Sequence, residues 1–173
     1  MKLLRSELLA GFSDKLFEIP VSSLDLKGLE FRKEIIMCRL SSESIPGGFK
    51  LKGSLAFSFL KSCDRCLEKF EDVHKPTFKL CLTSNMDLIK DENINVIPFP
   101  NTMSDIDLKN VFHDFIFLED SLKYLCSNDC KGLCHHCGLN LNNSSCNCVT
   151  ISTDTPFDVL ESMVRQHNIL NNI

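Results

Sequence analysis

The sequence predicts an α+β protein: a mainly antiparallel β-sheet, then a central helix, a cysteine-rich module and a short C-terminal helix. Three observations predict it. Apolar and polar residues alternate in the first half, an apolar stripe of helical spacing follows residue 104, and six cysteines fall within 126–148. A hydrophobic fraction of 43% over 173 residues is enough to bury a core. Whether the sheet closes into a barrel-like form is left open.

Two strands and a turn are the clearest part of the predicted sheet, which we place within residues 15–60 and 77–82. From Leu51 to Phe59 the apolar residues alternate with smaller or polar ones, as in a strand with one buried face. The turn Pro46-Gly47-Gly48 precedes this strand and makes 32–40 its hairpin partner. Residues 84–103 are polar and rich in Asn, which predicts a loop or linker.

After residue 103 the pattern becomes helical. Ser104-Asp105-Ile106-Asp107 is typical of a capping box that opens a helix. The apolar residues that follow at helical spacing are Leu108, Val111, Phe112, Phe115, Leu118 and Leu122. Thr155-Pro156 predicts the start of the C-terminal helix. We therefore expect a mainly β domain at 1–103 and a helical, cysteine-rich part at 104–173, with one compact unit as the alternative.

The charge distribution argues against a generic nucleic-acid binder. The net charge is −4; residues 1–80 hold 14 basic and 11 acidic residues, whereas 81–173 hold 5 and 12. Because nucleic-acid binders show a basic excess, any RNA contact is expected to be local and in the first half. The alternative for each candidate is a solvated strand face. The candidates cluster around the predicted strand and the first cysteine pair: Lys50, Lys52, Lys61, Arg65 and Lys69.

Eight of the ten cysteines form short pairs, which predicts metal sites. No secretory signal or membrane-spanning run is visible, so we expect a reducing compartment, where cysteines bind metals before they form disulfides. Four thiolates suit Zn²⁺, and one or two structural ions are expected. The first predicted group is Cys134, Cys137, Cys146 and Cys148, and the second is Cys63, Cys66, Cys126 and Cys130.

The chain is not expected to be an enzyme, because a closed tetrahedral site leaves no open position for water. Cys38 and Cys81 have no partner in sequence and are interpreted as small buried hydrophobes. Three alternatives stay open: a thiol redox protein that uses Cys63 and Cys66, a zinc-stabilised protein adaptor with no RNA role, and Fe–S ligation by the same cysteines.

The run from Cys126 to Cys148, with Cys-Lys-Gly-Leu-Cys at 130–134, resembles the C-terminal signature of the YceD family of large ribosomal RNA subunit accumulation proteins. Cys63-Asp64-Arg65-Cys66-Leu67 resembles the other cysteine pair of that family, and the resemblance spans roughly 15–165. In place of the family's proline-containing approach to the cluster, this chain has Leu122-Lys123-Tyr124-Leu125.

The resemblance implies a role in accumulation of 23S ribosomal RNA and in assembly of the large ribosomal subunit. It implies a ribosomal RNA precursor, a large-subunit ribosomal protein or both as partners, and no membrane. The implied location is the bacterial cytoplasm, or the plastid stroma if a transit peptide is removed.

Overall fold

The computed structural model describes residues 1–84 and 95–148, in two compact units, Met1–Gly132 and Leu133–Ile173. The described helices and strands all lie in the first unit: β1 (Lys2–Leu4), α1 (Arg5–Ala10), β2 (Phe12–Pro20), a 3-10 turn (Val21–Ser23), β3 (Ile35–Ile45), β4 (Gly48–Ser62), β5 (Lys69–His74), β6 (Thr77–Thr83), β7 (Asn95–Pro98), β8 (Asp105–Asp107) and α2 (Lys109–Leu118). The predicted helix at Thr155 lies outside the described residues, and the predicted domain boundary after residue 103 stays a prediction.

A six-stranded sheet dominates the first unit and confirms the predicted α+β class. Its order is β2-β3-β4-β6-β7, with β5 paired to the second half of β4. All pairings are antiparallel except that of β6 with β7. In the described ranges this sheet is open, with β2 and β7 at its edges.

The predicted hairpin is formed by β3 and β4. Ile45 pairs with Gly48, so Pro46 and Gly47 make a two-residue loop, and Gly47 has a φ of +81° that favours glycine. The hydroxyl of Thr83 on β6 donates to the Gly47 carbonyl at 2.8 Å. The turn therefore fixes the register of the central strands.

The core lies on one face of the sheet, where α2 packs. Phe112 of α2 is fully buried, and its ring centroid lies 5.6 Å from that of Phe78 on β6. Cys38 and Cys81 are buried within strands, as predicted. Burial raises the pKa of the Cys38 thiol to about 12, so this cysteine behaves as an apolar core residue.

Several predictions about the segment between β6 and the end of α2 were wrong. Residues 95–98 of the predicted loop form β7, and Asp105–Asp107 is strand β8. The Asp107 carboxylate nevertheless accepts a hydrogen bond at 3.1 Å from the N–H of Lys109, the first residue of α2. β8 pairs with β1, which places Ile106 opposite Leu3 with both side chains buried. This long-range pairing overrides the local capping pattern. Helix α2 ends at Leu118, so the side chains of Leu118 and Leu122 are exposed instead of continuing the apolar stripe.

The N-terminal strand and helix were not predicted. Arg5 of α1 explains part of their placement: its guanidinium lies 4.0 Å from the Phe99 ring centroid and donates to the Met103 and Pro100 carbonyls at 2.8 and 2.7 Å. Within the described ranges no helix has the length and apolar character needed to cross a membrane.

Candidate metal centres

The first centre consists of Cys63, Cys66, Cys126 and Cys130, whose four sulfurs all lie within 4.8 Å of one another. The loop between β4 and β5 supplies the first pair, and the chain that follows α2 supplies the second. The sulfurs of Cys63 and Cys130 are 3.8 Å apart, and those of Cys66 and Cys126 are 3.6 Å apart. Folding thus brings together one of the two predicted groups of four.

The loop that carries Cys63 and Cys66 is a tight knuckle. The N–H of Leu67 donates to the Cys63 carbonyl at 2.8 Å, and the N–H of Cys63 donates to the Glu68 carbonyl at 2.9 Å. Leu67 has a φ of +61°, a left-handed conformation that is unusual for a branched apolar residue. The backbone therefore turns sharply enough to aim both sulfurs at one point.

Backbone contacts hold the second pair of the first centre against this knuckle. The N–H of Asp64 donates to the Tyr124 carbonyl at 2.8 Å, and the N–H of Tyr124 donates to the Asp64 carboxylate at 2.7 Å. The guanidinium of Arg65 donates to the Cys130 carbonyl at 2.9 Å. Gly132, with a φ of +77°, passes so close that an added Cβ would lie 3.1 Å from the Arg65 carbonyl oxygen.

A polar cluster supports the same centre, and sequence reasoning missed it. Lys61 Nζ donates to Asp120 Oδ1 at 2.6 Å and to the Tyr124 hydroxyl at 3.1 Å, and that hydroxyl donates to Asp120 at 2.5 Å. The one signal in the sequence was Tyr124 itself, the single tyrosine of the chain, placed two residues before Cys126. Tyr124 lies in the stretch 122–125, where this chain lacks the proline-containing approach to the cysteine cluster that the family has.

The second centre consists of Cys134, Cys137, Cys146 and Cys148 and lies within the second unit. The sulfurs of Cys146 and Cys134 are 3.3 Å apart. The N–H of Gly138 donates to the Cys134 carbonyl at 2.8 Å, and the N–H of Cys134 donates to the Leu139 carbonyl at 2.8 Å. These are the contacts of the first knuckle, with Gly138 at a φ of +72° in place of Leu67, as the spacing predicted.

The two centres differ in exposure. In the first centre only Cys126 is exposed, whereas in the second Cys137 and Cys148 are exposed and Cys146 is half-buried. The sulfurs of the second centre are therefore the more accessible to chelators and alkylating reagents.

In each centre, backbone N–H donors lower the pKa of one cysteine and so favour its thiolate form. Burial disfavours ionisation of Cys63, but three backbone N–H groups donate to its sulfur and lower its pKa to about 6. In the second centre, N–H groups of Cys137 and His136 lower the pKa of Cys134 to about 6. The neighbouring sulfurs then compete for ionisation, and hydrogen bonding to another thiol raises the pKa of Cys126 and Cys148 to about 12. A bound cation would neutralise this clustered charge.

Each of the two sets of four sulfurs fits its own tetrahedral zinc ion. Zn–S bonds of about 2.3 Å in a tetrahedron place sulfurs about 3.8 Å apart, close to the separations of both centres. A multinuclear iron–sulfur cluster would hold four thiolates further apart than one ion does. The set of four also fills the tetrahedron, so zinc bound here would stabilise structure and present no reactive water.

The five predicted RNA-facing residues fall into two groups. Lys61 and Arg65 make the intramolecular contacts that support the first centre. Lys50 and Lys52 lie on β4, and Lys69 begins β5 opposite Ser62. Lys52 and Lys69 are exposed, and Lys50 is half-buried. RNA contact by any of these residues stays a prediction.

The fold and site define a class of protein with a β-sheet scaffold and two tetracysteine clusters that could each hold a metal ion, one of them at the end of a long strand. The family model described as "Large ribosomal RNA subunit accumulation protein YceD" matches residues 51–163, well over half of the chain and both centres. The chain therefore belongs to the YceD family.

Two curated relatives match part of the chain, and both carry the name "Large ribosomal RNA subunit accumulation protein YCED homolog 1, chloroplastic". The Arabidopsis thaliana protein is 32% identical over 68 residues, which are 39% of this chain and 21% of the relative. The Zea mays protein is 47% identical over 51 residues, which are 29% of this chain and 17% of the relative. The match thus spans about a fifth of each relative's length. No solved structure matches the chain significantly.

Proposed function

We propose that this chain is a non-catalytic zinc-binding factor that supports accumulation of 23S ribosomal RNA and assembly of the large ribosomal subunit. The observation that carries the proposal is the pair of tetracysteine centres inside the region that the family model matches. Zinc at these centres is structural, because all four tetrahedral positions are taken by sulfur. The ions fold the loops that present the rest of the surface to a partner.

The proposed partners are a precursor of the large-subunit ribosomal RNA, a large-subunit ribosomal protein, or both. The two chloroplastic relatives are named for accumulation of this RNA. Their names support the plastid stroma as the location, and a bacterial cytoplasm is the counterpart for a bacterial chain.

The proposal is tested by depleting the protein in its own organism and measuring ribosome profiles on sucrose gradients with quantified ribosomal RNA. We expect a selective loss of the large subunit and its RNA, restored by the wild-type gene. Restoration should fail with Cys66→Ser, which breaks the first centre, and succeed with Cys81→Ser, a cysteine outside both centres. An unchanged profile after confirmed depletion would contradict the proposal.

A thiol redox protein is the second candidate, because Cys63 has a pKa of about 6. Burial of Cys63 and Cys66, which are 0% and 3% exposed, weighs against it. Native mass spectrometry separates the two functions: the zinc factor carries two ions, and its paired cysteines resist alkylation until a chelator is added. Rapid alkylation of Cys63 in the metal-loaded protein would favour redox chemistry. A zinc-stabilised adaptor predicts the same two ions but an unchanged ribosomal RNA profile.

A further inference from the structure

The face of the sheet that points away from α2 carries two cross-strand rows of polar residues. In the first row Ser41 of β3, Lys52 of β4 and Lys79 of β6 are direct neighbours. In the second row the neighbours are Arg39, Ser54 and Thr77. We call these six residues the basic face. Lys52, Lys79, Arg39 and Thr77 are exposed.

Two lysines of the basic face stand directly opposite each other, which is unfavourable for the sheet. Lys52 pairs with Lys79, and like charges at such positions repel. Arg39 has a counterion, because its guanidinium lies 2.8 Å from the Asp14 carboxylate. Neither Lys52 nor Lys79 forms an ion pair with any residue that the structure describes. An external anion between the two ammonium groups would relieve their repulsion.

The residues around this lysine pair suit a phosphate group. A shallow depression of about 280 Å³ lies between the two strands and is lined by Lys52, Thr77 and Lys79, with Gly53 and Phe78 below. Hydroxyl groups are interleaved with the charges in both rows and add hydrogen-bond donors for phosphate oxygens. Lys50, two residues from Lys52 on the same strand and the same side, adds a third basic residue along β4, and Glu43 of β3 stands directly opposite it.

The composition of the basic face favours a nucleic-acid backbone over an acidic protein. A protein interface needs an apolar centre, and none of the six residues is apolar; the exposed Leu16 of β2 lies at the margin of the face, opposite Arg39. Base stacking needs exposed aromatic rings, and the six include none. What the face offers is charge and hydroxyl donors, which bind the sugar-phosphate backbone without reading sequence.

We propose that the basic face, centred on Lys52 and Lys79 and extended by Lys50, binds the phosphate backbone of RNA. This inference rests on the proposed function and names the surface through which the factor contacts its RNA. It assigns Lys61 and Arg65 to the support of the first metal centre, and it adds Lys79, which no sequence pattern singled out.

The test is fluorescence-anisotropy binding of the zinc-loaded full chain to a labelled fragment of large-subunit ribosomal RNA and to a scrambled RNA, over a range of salt concentrations. We expect both RNAs to bind alike. The Lys52→Gln/Lys79→Gln variant should bind at least about tenfold more weakly, and the slope of log K against log salt should fall by about 1.5–2. The matched control Lys27→Gln/Lys109→Gln removes two exposed charges elsewhere and should bind like wild type.

Thermal unfolding gives a second readout on the same variants. Because the Lys52–Lys79 repulsion is removed, the double variant should unfold at the same temperature as wild type or higher, so weaker binding reflects lost contacts. Equal RNA affinity of variant and wild type, or no RNA binding by wild type, would overturn the inference. Saturable binding of poly-glutamate at this face without RNA binding would assign it to an acidic protein.

These outcomes are separable from failure of the proposed function. If RNA does not bind but depletion still reduces the large subunit, the factor acts through a protein partner and only the inference about the basic face fails. If depletion changes nothing, the proposed function fails whatever the binding assay shows.

Discussion

Lys61 and Asp120 form a partly buried ion pair in which the ammonium nitrogen lies 2.6 Å from a carboxylate oxygen. Lys61 lies on β4, two residues before Cys63, and Asp120 lies in the segment that leads from α2 to Cys126. Burial has the largest single influence and works to lower the pKa of Lys61, but the hydrogen bonds and charge interactions with Asp120 and Tyr124 together outweigh it, so the pKa is raised. The pair therefore joins the two segments that supply the first metal centre.

Replacing Lys61 with Met should lower the free energy of unfolding of the zinc-loaded protein by about 1–3 kcal/mol, because the Asp120 carboxylate keeps its burial and loses its counterion. Urea unfolding followed by circular dichroism measures this change. The double variant Lys61→Met/Asp120→Leu should recover much of the loss, since no charge is then left unpaired. A double variant as unstable as the single one would show that packing, and not charge pairing, dominates at this position.

The two centres should lose their ions at different rates. A chelator should remove the ion of the second centre at least about tenfold faster, because exposed ligands are reached without unfolding the sheet. Stopped-flow detection of released zinc should show two phases of equal size. Cys148→Ser should abolish the fast phase and Cys66→Ser the slow one. A single phase in the wild-type protein would mean that both centres open together.

The two knuckles allow a reciprocal exchange at the position after the second cysteine. Leu67→Gly should raise the free energy of unfolding by about 0.5–1 kcal/mol, because it relieves a left-handed conformation at a side chain that is 66% exposed. Gly138→Leu should weaken zinc binding at the second centre, as measured by competition with a chromophoric chelator. Leu67→Ala is the control: it keeps the Cβ and should bring no gain. Equal stabilisation by Leu67→Ala and Leu67→Gly would show that the left-handed backbone conformation at Leu67 is not strained.

Gly53→Ala should lower the free energy of unfolding by about 1–3 kcal/mol through overpacking. A Cβ at this position would lie 2.5 Å from the Arg39 carbonyl oxygen and 2.6 Å from the Phe78 ring. Ser54→Ala, next to it but on the other side of the sheet, should change the stability by less than about 0.5 kcal/mol. Thermal unfolding of both variants measures the difference. An unfolding temperature of Gly53→Ala equal to that of the wild type would contradict the overpacking, because it would show that the neighbouring strands can accommodate the added methyl group.

The predictions from sequence succeeded where the signal is local. The β3–β4 hairpin follows from alternation and a Pro-Gly turn, both contained within a few residues. The knuckles follow from cysteines two residues apart, because that spacing allows both sulfurs to face one point. The predicted grouping of eight cysteines into two fours is also the grouping that folding brings together.

Elements whose position depends on distant residues were missed. The pattern at 104–107 favours a helix cap, but pairing of Leu3 with Ile106 buries both side chains and makes a strand. Residues 95–98 carry little apolar alternation, and they become β7 because β6 offers a free edge. In both cases the stabilising contact spans more chain than any local pattern covers.

By itself the sequence determined the fold class, the central hairpin and the short cysteine pairs, since these depend on residue spacing within a segment. Which pairs meet in one centre depends on folding, because Cys66 and Cys126 lie 60 residues apart in the chain. Tertiary structure alone decided which basic residues stay available to a partner. Lys61 and Lys52 look alike in sequence, yet Lys61 meets Asp120 and Tyr124, whereas Lys52 stands between Ser41 and Lys79 with no acidic residue directly opposite. The physical reason is that an ion pair needs two side chains at contact distance, and those partners come from strands and loops far apart in the chain.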